Sequence, residues 1–192
     1  MPSPVGHAIA GLAAGWLVAG APRVSEKVWE REVMLFCVLG ALPDIDLFFG
    51  AHSGPTHSLG AAVVVGVTAL VMASGLTGLS VHDSPRATTA RGGVRPRRLA
   101  LACAAAYATH VLLDWLGRDS SPPIGIMALW PASRGYFESA FHLFMPISRR
   151  FEQGWTLVFQ NALAFCLELI ILMPILLLVT FLRSRRVEWE RV

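Results

Sequence analysis

Histidine and aspartate residues stand at the edges of apolar segments in this chain, where ionisable groups are uncommon. They are His7, Asp44 and Asp46 in "ALPDIDLFFG", His52 and His57 in "HSGPTHSLG", and His110 and Asp114 in "YATHVLLDWLG". Ionisable groups inside a bilayer are costly and usually mark ion sites, proton relays or substrate paths. Imidazole nitrogen and carboxylate oxygen are preferred donors to divalent cations. The residue types therefore predict a metal site.

The spacing of His110 and Asp114 supports this prediction. Residues four apart on a helix lie on one face, about one turn from each other. Both side chains can therefore reach the same ion. The same spacing also fits a hydrogen-bonded couple inside a helix bundle, which is the alternative.

Single members of the set also have simpler interpretations. His7 could be an interfacial or packing histidine, and Asp44 after Pro43 could cap a helix or form a turn. Glu168, within the apolar "FCLELIIL", more readily fits a polar contact inside the bundle than a metal ligand. The metal prediction depends on the conjunction of several independent segments that supply donors together.

The elements that must position these residues are apolar. The chain has 192 residues, of which 54% are hydrophobic and only 15% charged, and its mean hydropathy is +0.55. Soluble domains have about 25% charged residues. The composition predicts a membrane protein.

Five apolar segments are candidates for membrane helices, at residues 5–22, 33–50, 58–79, 99–117 and 155–182. Each approaches or exceeds the roughly 17–25 residues that cross the hydrocarbon core. We predict an all-α polytopic bundle of four to five membrane helices. The first segment is rich in Gly and Ala and the second contains Pro43 and two aspartates, so we expect a short or broken helix there. Residues 1–182 form one predicted membrane-embedded domain, and 183–192 a basic tail.

Arginine placement predicts the topology. Five arginines lie between residues 86 and 98 and four between 183 and 191. Basic segments next to membrane helices stay in the cytoplasm. With both clusters inside, the N-terminus and all the candidate ligands lie at the outer face. We therefore predict a multi-pass protein of a bacterial-type inner membrane, with its site on the extracytoplasmic side.

Other features limit the range of partners. The net charge of +3 is not gathered into a basic face or a recognised nucleic-acid module, so no nucleic acid is expected. The three cysteines show no metal-binding or disulfide spacing and fit packing roles. Gly11 and Gly15 form a small-xxx-small face that permits close helix packing, within the chain or in a homo-oligomer. The lipid bilayer is the predicted partner.

Four motifs in order, "LGALPDIDLFF", "HSGPTHSLG", "HVLLDWLG" and "LWPAS", follow the N-terminal His7. Together they resemble the YdjM-like family of LexA-binding, inner-membrane-associated metal-dependent hydrolases. The resemblance spans roughly residues 7–131. The chain departs from the family at Ser53, where arginine is typical, and in the extended "GRDSSPPIGIMALWP".

The family in turn resembles the superfamily of zinc-dependent phospholipase C and single-strand nucleases. This resemblance implies a phospholipase C-like helical core that binds two metal ions, zinc or else manganese, with Asp114 as a bridge. The implied metal ligands are His7, Asp44, Asp46, His57, His110 and Asp114. Glu138 and His142 are weaker candidates for a further metal.

Metal-activated water would make the chain a hydrolase. The resemblance favours a phosphoesterase whose substrate is a lipid phosphate or another phosphoester at the membrane surface. Either Asp44 or Asp46 could be the principal ligand, and whichever is not a ligand could act as general base or orient a histidine, with Asp46 as the catalytic candidate; His52 is a candidate acid or ligand. Thr56 and Ser58 are candidates for supporting hydrogen bonds. The alternatives are a divalent-cation or proton transporter, and a non-catalytic membrane protein with a structural metal.

Overall fold

The computed structural model describes residues 1–20, 26–49, 53–78, 95–119, 122–147 and 154–189. These ranges contain five α-helices, one 3₁₀ helix and no β-strand, which confirms the all-α prediction. The helices are α1 (Pro4–Ala19), α2 (Glu26–Ala41), the 3₁₀ helix (Leu42–Phe49), α3 (Leu59–Gly78), α4 (Pro96–Leu116) and α5 (Gly154–Trp189).

The second apolar segment is broken, as expected. Helix α2 ends at Ala41, and the chain continues as the 3₁₀ helix, which contains Pro43. Proline has no N–H to donate to the preceding turn, and its ring clashes with the carbonyl four residues earlier. The break carries Asp44 and Asp46 at one end of the bundle.

Helix α1 is anchored at its beginning by a buried carboxylate from α5. The Ser3 backbone N–H donates to Glu168 Oε1 at 2.7 Å, and the Ser3 hydroxyl donates to Oε2. The same hydroxyl accepts from Gly6 N at 3.0 Å, so Ser3 is the N-cap. Glu168 thus makes the polar contact inside the bundle that the sequence indicated, and it fixes the end of α1 that carries His7.

Helices α1 and α2 cross with their backbones in contact. A Cβ atom added to Gly11 would lie 2.6 Å from Phe36 O, and one added to Gly40 would overlap His7 O. Gly15 likewise faces the Phe36 ring, so the small-xxx-small face of α1 is used within the chain. Small residues allow this approach in membrane bundles.

Within the described residues, two helices are long and apolar enough to cross a membrane, Pro96–Leu116 and Gly154–Arg185. Helix α1 and most of α3 are apolar but shorter. The outward faces of α3 and α5 carry exposed apolar side chains, among them Val63, Val67, Val71, Ile170, Leu177 and Phe181. Such faces suit contact with lipid. The multi-pass topology stays a prediction, and the arginines between 86 and 94 lie outside the described residues.

The irregular segment 122–147 covers the ends of α3 and α4. Leu59 N donates to Ala128 O at 3.0 Å, and Leu143 N donates to Leu116 O at 2.8 Å. A Cβ atom on Gly60 would overlap Trp130 O, so the segment lies directly on the first turn of α3. This cover closes the bundle at the end where the candidate ligands are found.

Candidate metal centre

Four separate elements bring the candidate ligands to one end of the bundle. His7 lies in the first turns of α1, and Asp44 lies in the 3₁₀ helix. His57 lies in the connection before α3. His110 and Asp114 occupy the last two turns of α4.

Asp114 lies at the centre of this group. Its Oδ1 is 3.2 Å from His7 Nε2, and its Oδ2 is 3.1 Å from His110 Nε2 and 3.5 Å from His57 Nε2. The two carboxylate oxygens therefore face different imidazoles. The His7 and His110 rings are stacked, with centroids 3.7 Å apart.

Asp44 completes the group and is the member whose side chain is partly exposed to solvent. Its Oδ1 lies 3.8 Å from His110 Nε2 and 3.9 Å from His57 Nε2. The Asp44 side chain is 14% exposed, whereas those of His57, His110 and Asp114 are fully buried. Access to the group is therefore on the Asp44 side.

The backbone of α2 fixes the tautomer of His110. Its Nδ1 lies 2.8 Å from the Gly40 carbonyl oxygen. A carbonyl can only accept, so Nδ1 carries a proton, and Nε2 is the ring nitrogen that faces Asp114 and Asp44 and could bind an ion. Second partners of this kind typically orient histidine ligands.

His57 is held by a carboxylate on its other nitrogen. Asp46 Oδ2 lies 3.2 Å from His57 Nδ1 and accepts a hydrogen bond of 2.9 Å from the Thr56 hydroxyl. Tyr107 in turn donates to Thr56 O at 2.8 Å. Asp46 thus contacts the ring nitrogen that points away from the cluster, and Asp44 contacts the one that points into it.

Several buried donor atoms of the cluster have no hydrogen-bond partner among the described residues. Both ring nitrogens of His7, Nε2 of His110 and both oxygens of Asp114 make no hydrogen bond. Buried polar atoms are normally paired, because desolvation without compensation costs about 1–3 kcal/mol each. A bound cation would satisfy several of them at once. These buried groups could therefore hold a metal ion.

In the part of the chain that the structure describes, two overlapping sets of three residues could each hold one ion, because their donor atoms lie within 4.8 Å of one another. The first set is His7, His110 and Asp114, and the second is Asp44, His57 and His110. His110 belongs to both sets. The identity and number of the ions are not fixed by this arrangement.

The charges of the cluster shift two pKa values outside the spanning helices. Burial lowers the pKa of His57, but its interactions with the carboxylates of Asp44 and Asp46 and the charge of Asp114 raise this pKa by a larger amount, to about 9. Burial raises the pKa of Asp44, yet hydrogen bonding to His57 and the charges of the other histidines leave it below its usual value. Without a metal, His57 holds a proton at neutral pH that an ion would displace.

Three further residues, His52, Glu138 and His142, were predicted from the sequence. His52 is outside the described residues, so its role stays a prediction. Glu138 Oε1 lies 3.1 Å from His142 Nε2 and accepts from Asp119 N at 3.0 Å. In the described part of the chain, neither Glu138 nor His142 belongs to a group of three possible ligands. The further metal stays a prediction.

Sequence reasoning did not single out two supporting groups, the Gly40 carbonyl and the Tyr107 hydroxyl. Gly40 carried a weak signal, since a glycine shortly before the aspartates allows the close contact between α1 and α2. Tyr107 lies three residues before His110 and on the same face of α4, which was a readable signal.

A family model described as YdjM inner membrane protein matches residues 1–189. The chain belongs to this family. The match confirms the resemblance, and with the two apolar helices it indicates an inner membrane protein. The link to the phospholipase C superfamily is not part of this match. No curated protein and no solved structure matches the chain.

Proposed function

We propose that this chain is a membrane-bound metal-dependent hydrolase, a phosphoesterase that acts on a lipid phosphate or another phosphoester at the membrane surface. One observation carries the proposal, namely the buried cluster of three imidazoles and two carboxylates that opens on the Asp44 side. Membership of an inner-membrane family is consistent with it.

The donor set fits a pair of divalent ions. Asp114 would be the bridge between them, because its Oδ1 faces His7 while its Oδ2 faces His110 and His57. Imidazole and carboxylate donors suit zinc, with manganese as the alternative. When bound, such ions supply Lewis acidity and lower the pKa of water toward about 7.

The protein contributes orientation and control of protons. Gly40 O keeps the His110 proton on Nδ1, and Asp46 holds His57 from the side away from the cluster. Asp46 would therefore orient a histidine, which is one of the roles that the sequence left open for it. Asp44 lies at the opening, where a carboxylate can position an entering water.

The surroundings of the opening favour a lipid substrate. Phe48 and Phe49 follow Asp44 in the same 3₁₀ helix, and their side chains are 87% and 81% exposed. Ile45, beside Asp44, is also about half exposed. Exposed aromatic and aliphatic side chains in a membrane protein lie in the interface or the acyl region. A phosphate near Asp44 would then have its acyl chains beside these residues.

Burial gives specific support to a second candidate, a structural metal. Structural zinc sites are closed, whereas catalytic sites keep an open position, and His7, His57 and His110 are fully buried here. A structural ion would stabilise the contacts among α1, α4 and the 3₁₀ helix without turnover.

The two candidates are separated by measuring metal content, stability and hydrolysis on the same purified protein. If the chain is a hydrolase, we expect the purified protein to bind zinc or manganese and to release phosphate from vesicles that contain phosphatidic acid. Asp44→Asn should abolish release, while Glu138→Gln, an acidic residue outside the cluster, should not. Metal content and metal-dependent melting without release from any tested phosphoester would support the structural role. Protein that binds no metal on reconstitution would contradict both.

A further inference from the structure

A second polar site lies between α1 and α5, far from the metal centre. Trp16 is nine residues after His7 on α1, which corresponds to about 14 Å along the helix. A shallow open recess is found there, lined by Trp16, Leu17, Gly20, Val179, Leu182 and Arg183.

Two residues that line this recess carry buried N–H groups with no hydrogen-bond partner among the described residues. Arg183 Nη2 donates to Glu32 Oε2 at 2.6 Å, which leaves Nη1 unpaired. The Arg183 guanidinium lies over the Trp16 ring, 4.9 Å from its centroid, and Trp16 Nε1 is also unpaired. The two side chains are only 10% and 4% exposed. Buried N–H groups of this kind normally have an acceptor.

The local charge favours an anionic acceptor. Glu32 offsets the charge of Arg183, and Arg98 adds a further cation next to Gly20, with its Nε donating to Val18 O at 3.1 Å. These three described side chains, which lie in or around the recess, together carry a net charge of +1. A phosphate offers several strong acceptor oxygens and a negative charge, which suits two neighbouring N–H donors.

Apolar side chains beside the recess identify the source of the phosphate. Leu17 and Leu182 line the recess and are 53% and 44% exposed. Free phosphate would leave these groups in water, whereas a phospholipid would cover them with its acyl chains. Basic pockets between membrane helices bind anionic lipid headgroups by this combination.

The geometry points to a binding site for an anionic phospholipid at this recess. The phosphate oxygens accept hydrogen bonds from Arg183 Nη1 and Trp16 Nε1, and the acyl chains follow Leu17 and Leu182. The site is independent of the metal centre and of the proposed hydrolysis.

Trp16→Phe tests the site, because it keeps an aromatic ring under Arg183 and removes only the Nε1 donor. The full chain in detergent is titrated with phosphatidylglycerol, phosphatidylethanolamine or inorganic phosphate, and bound lipid is counted by native mass spectrometry. We expect phosphatidylglycerol to bind more tightly than phosphatidylethanolamine, and Trp16→Phe to weaken its binding about tenfold or more, as for a lost hydrogen bond to a charged group. Trp29→Phe is the matched control, since Trp29 contacts the Trp16 ring but does not line the recess.

Several results would overturn the lipid site. These are equal binding of the two lipids, unchanged phosphatidylglycerol binding by Trp16→Phe, or the same loss in Trp29→Phe. Binding of inorganic phosphate as tight as that of phosphatidylglycerol would identify a free-anion site instead. If Trp16→Phe does not fold, Arg183→Lys replaces it, because lysine keeps the charge beside Glu32 but lacks the second guanidinium N–H.

Discussion

Asp114→Asn is the sharpest test of the metal centre. The substitution keeps the size of the side chain but removes its charge and replaces one acceptor oxygen with a donor. Asp114 contacts all three imidazoles, at 3.1, 3.2 and 3.5 Å. Asparagine could offer an oxygen to one side of the cluster only, so any ion shared between the two carboxylate oxygens loses a ligand.

The size of the effect can be bounded from the neighbouring residues. Loss of a residue that only orients a ligand costs about 10- to 100-fold in metal affinity. Asp46, which contacts His57 on the side away from the cluster, should fall in that range when changed to asparagine. Asp114→Asn should exceed it, with a loss of more than about 100-fold, or about 2.7 kcal/mol.

Competition titration with a zinc chelator measures both variants, and elemental analysis gives the number of ions retained. Glu138→Gln is the control, because Glu138 pairs with His142 outside the cluster. A melting curve of the metal-free protein separates lost affinity from lost folding. Wild-type affinity and metal content in Asp114→Asn, or a larger loss in Asp46→Asn, would refute the assignment of Asp114 as the central ligand.

Three further outcomes are expected. Metal affinity should rise by up to about tenfold per pH unit from pH 7 and level off above about pH 9, because below the pKa of His57 an ion must displace the proton of this ring. If calorimetry gives a metal affinity that does not change with pH, His57 is not a ligand. Gly40→Ala should lower the free energy of chemical unfolding by about 1–3 kcal/mol, because the new Cβ would overlap His7 O. Gly75→Ala is the control and should not destabilise the protein, because a Cβ at Gly75 meets no atom within 4 Å. In a cysteine-free background, a cysteine introduced at exposed position 132 should react with an impermeant maleimide added outside intact cells. A cysteine at exposed position 97 should react only after the cells are permeabilised. The reverse pattern would place the metal centre at the cytoplasmic face.

The sequence by itself determined the class of the protein and most of the donor set. Long apolar segments and few charges specify membrane helices, because the hydrocarbon core admits little else. The i, i+4 spacing of His110 and Asp114 fixed their shared face, since the helical period is the same in any context. The structure accordingly finds them on one face of α4, with His110 Nε2 3.1 Å from Asp114 Oδ2.

Only the tertiary structure decided how Asp44 and Asp46 differ. Residues two apart point about 200° apart on an α-helix and about 240° apart on a 3₁₀ helix, so the sequence showed that the two must separate but not which one faces the ligands. That choice depends on how the 3₁₀ helix lies against His57 and α4. For the same reason, the sequence did not predict the contact of the Gly40 carbonyl or the recess at Trp16 and Arg183. Each joins elements that are far apart in the chain, and such contacts depend on how the helices pack rather than on the periodicity within one helix.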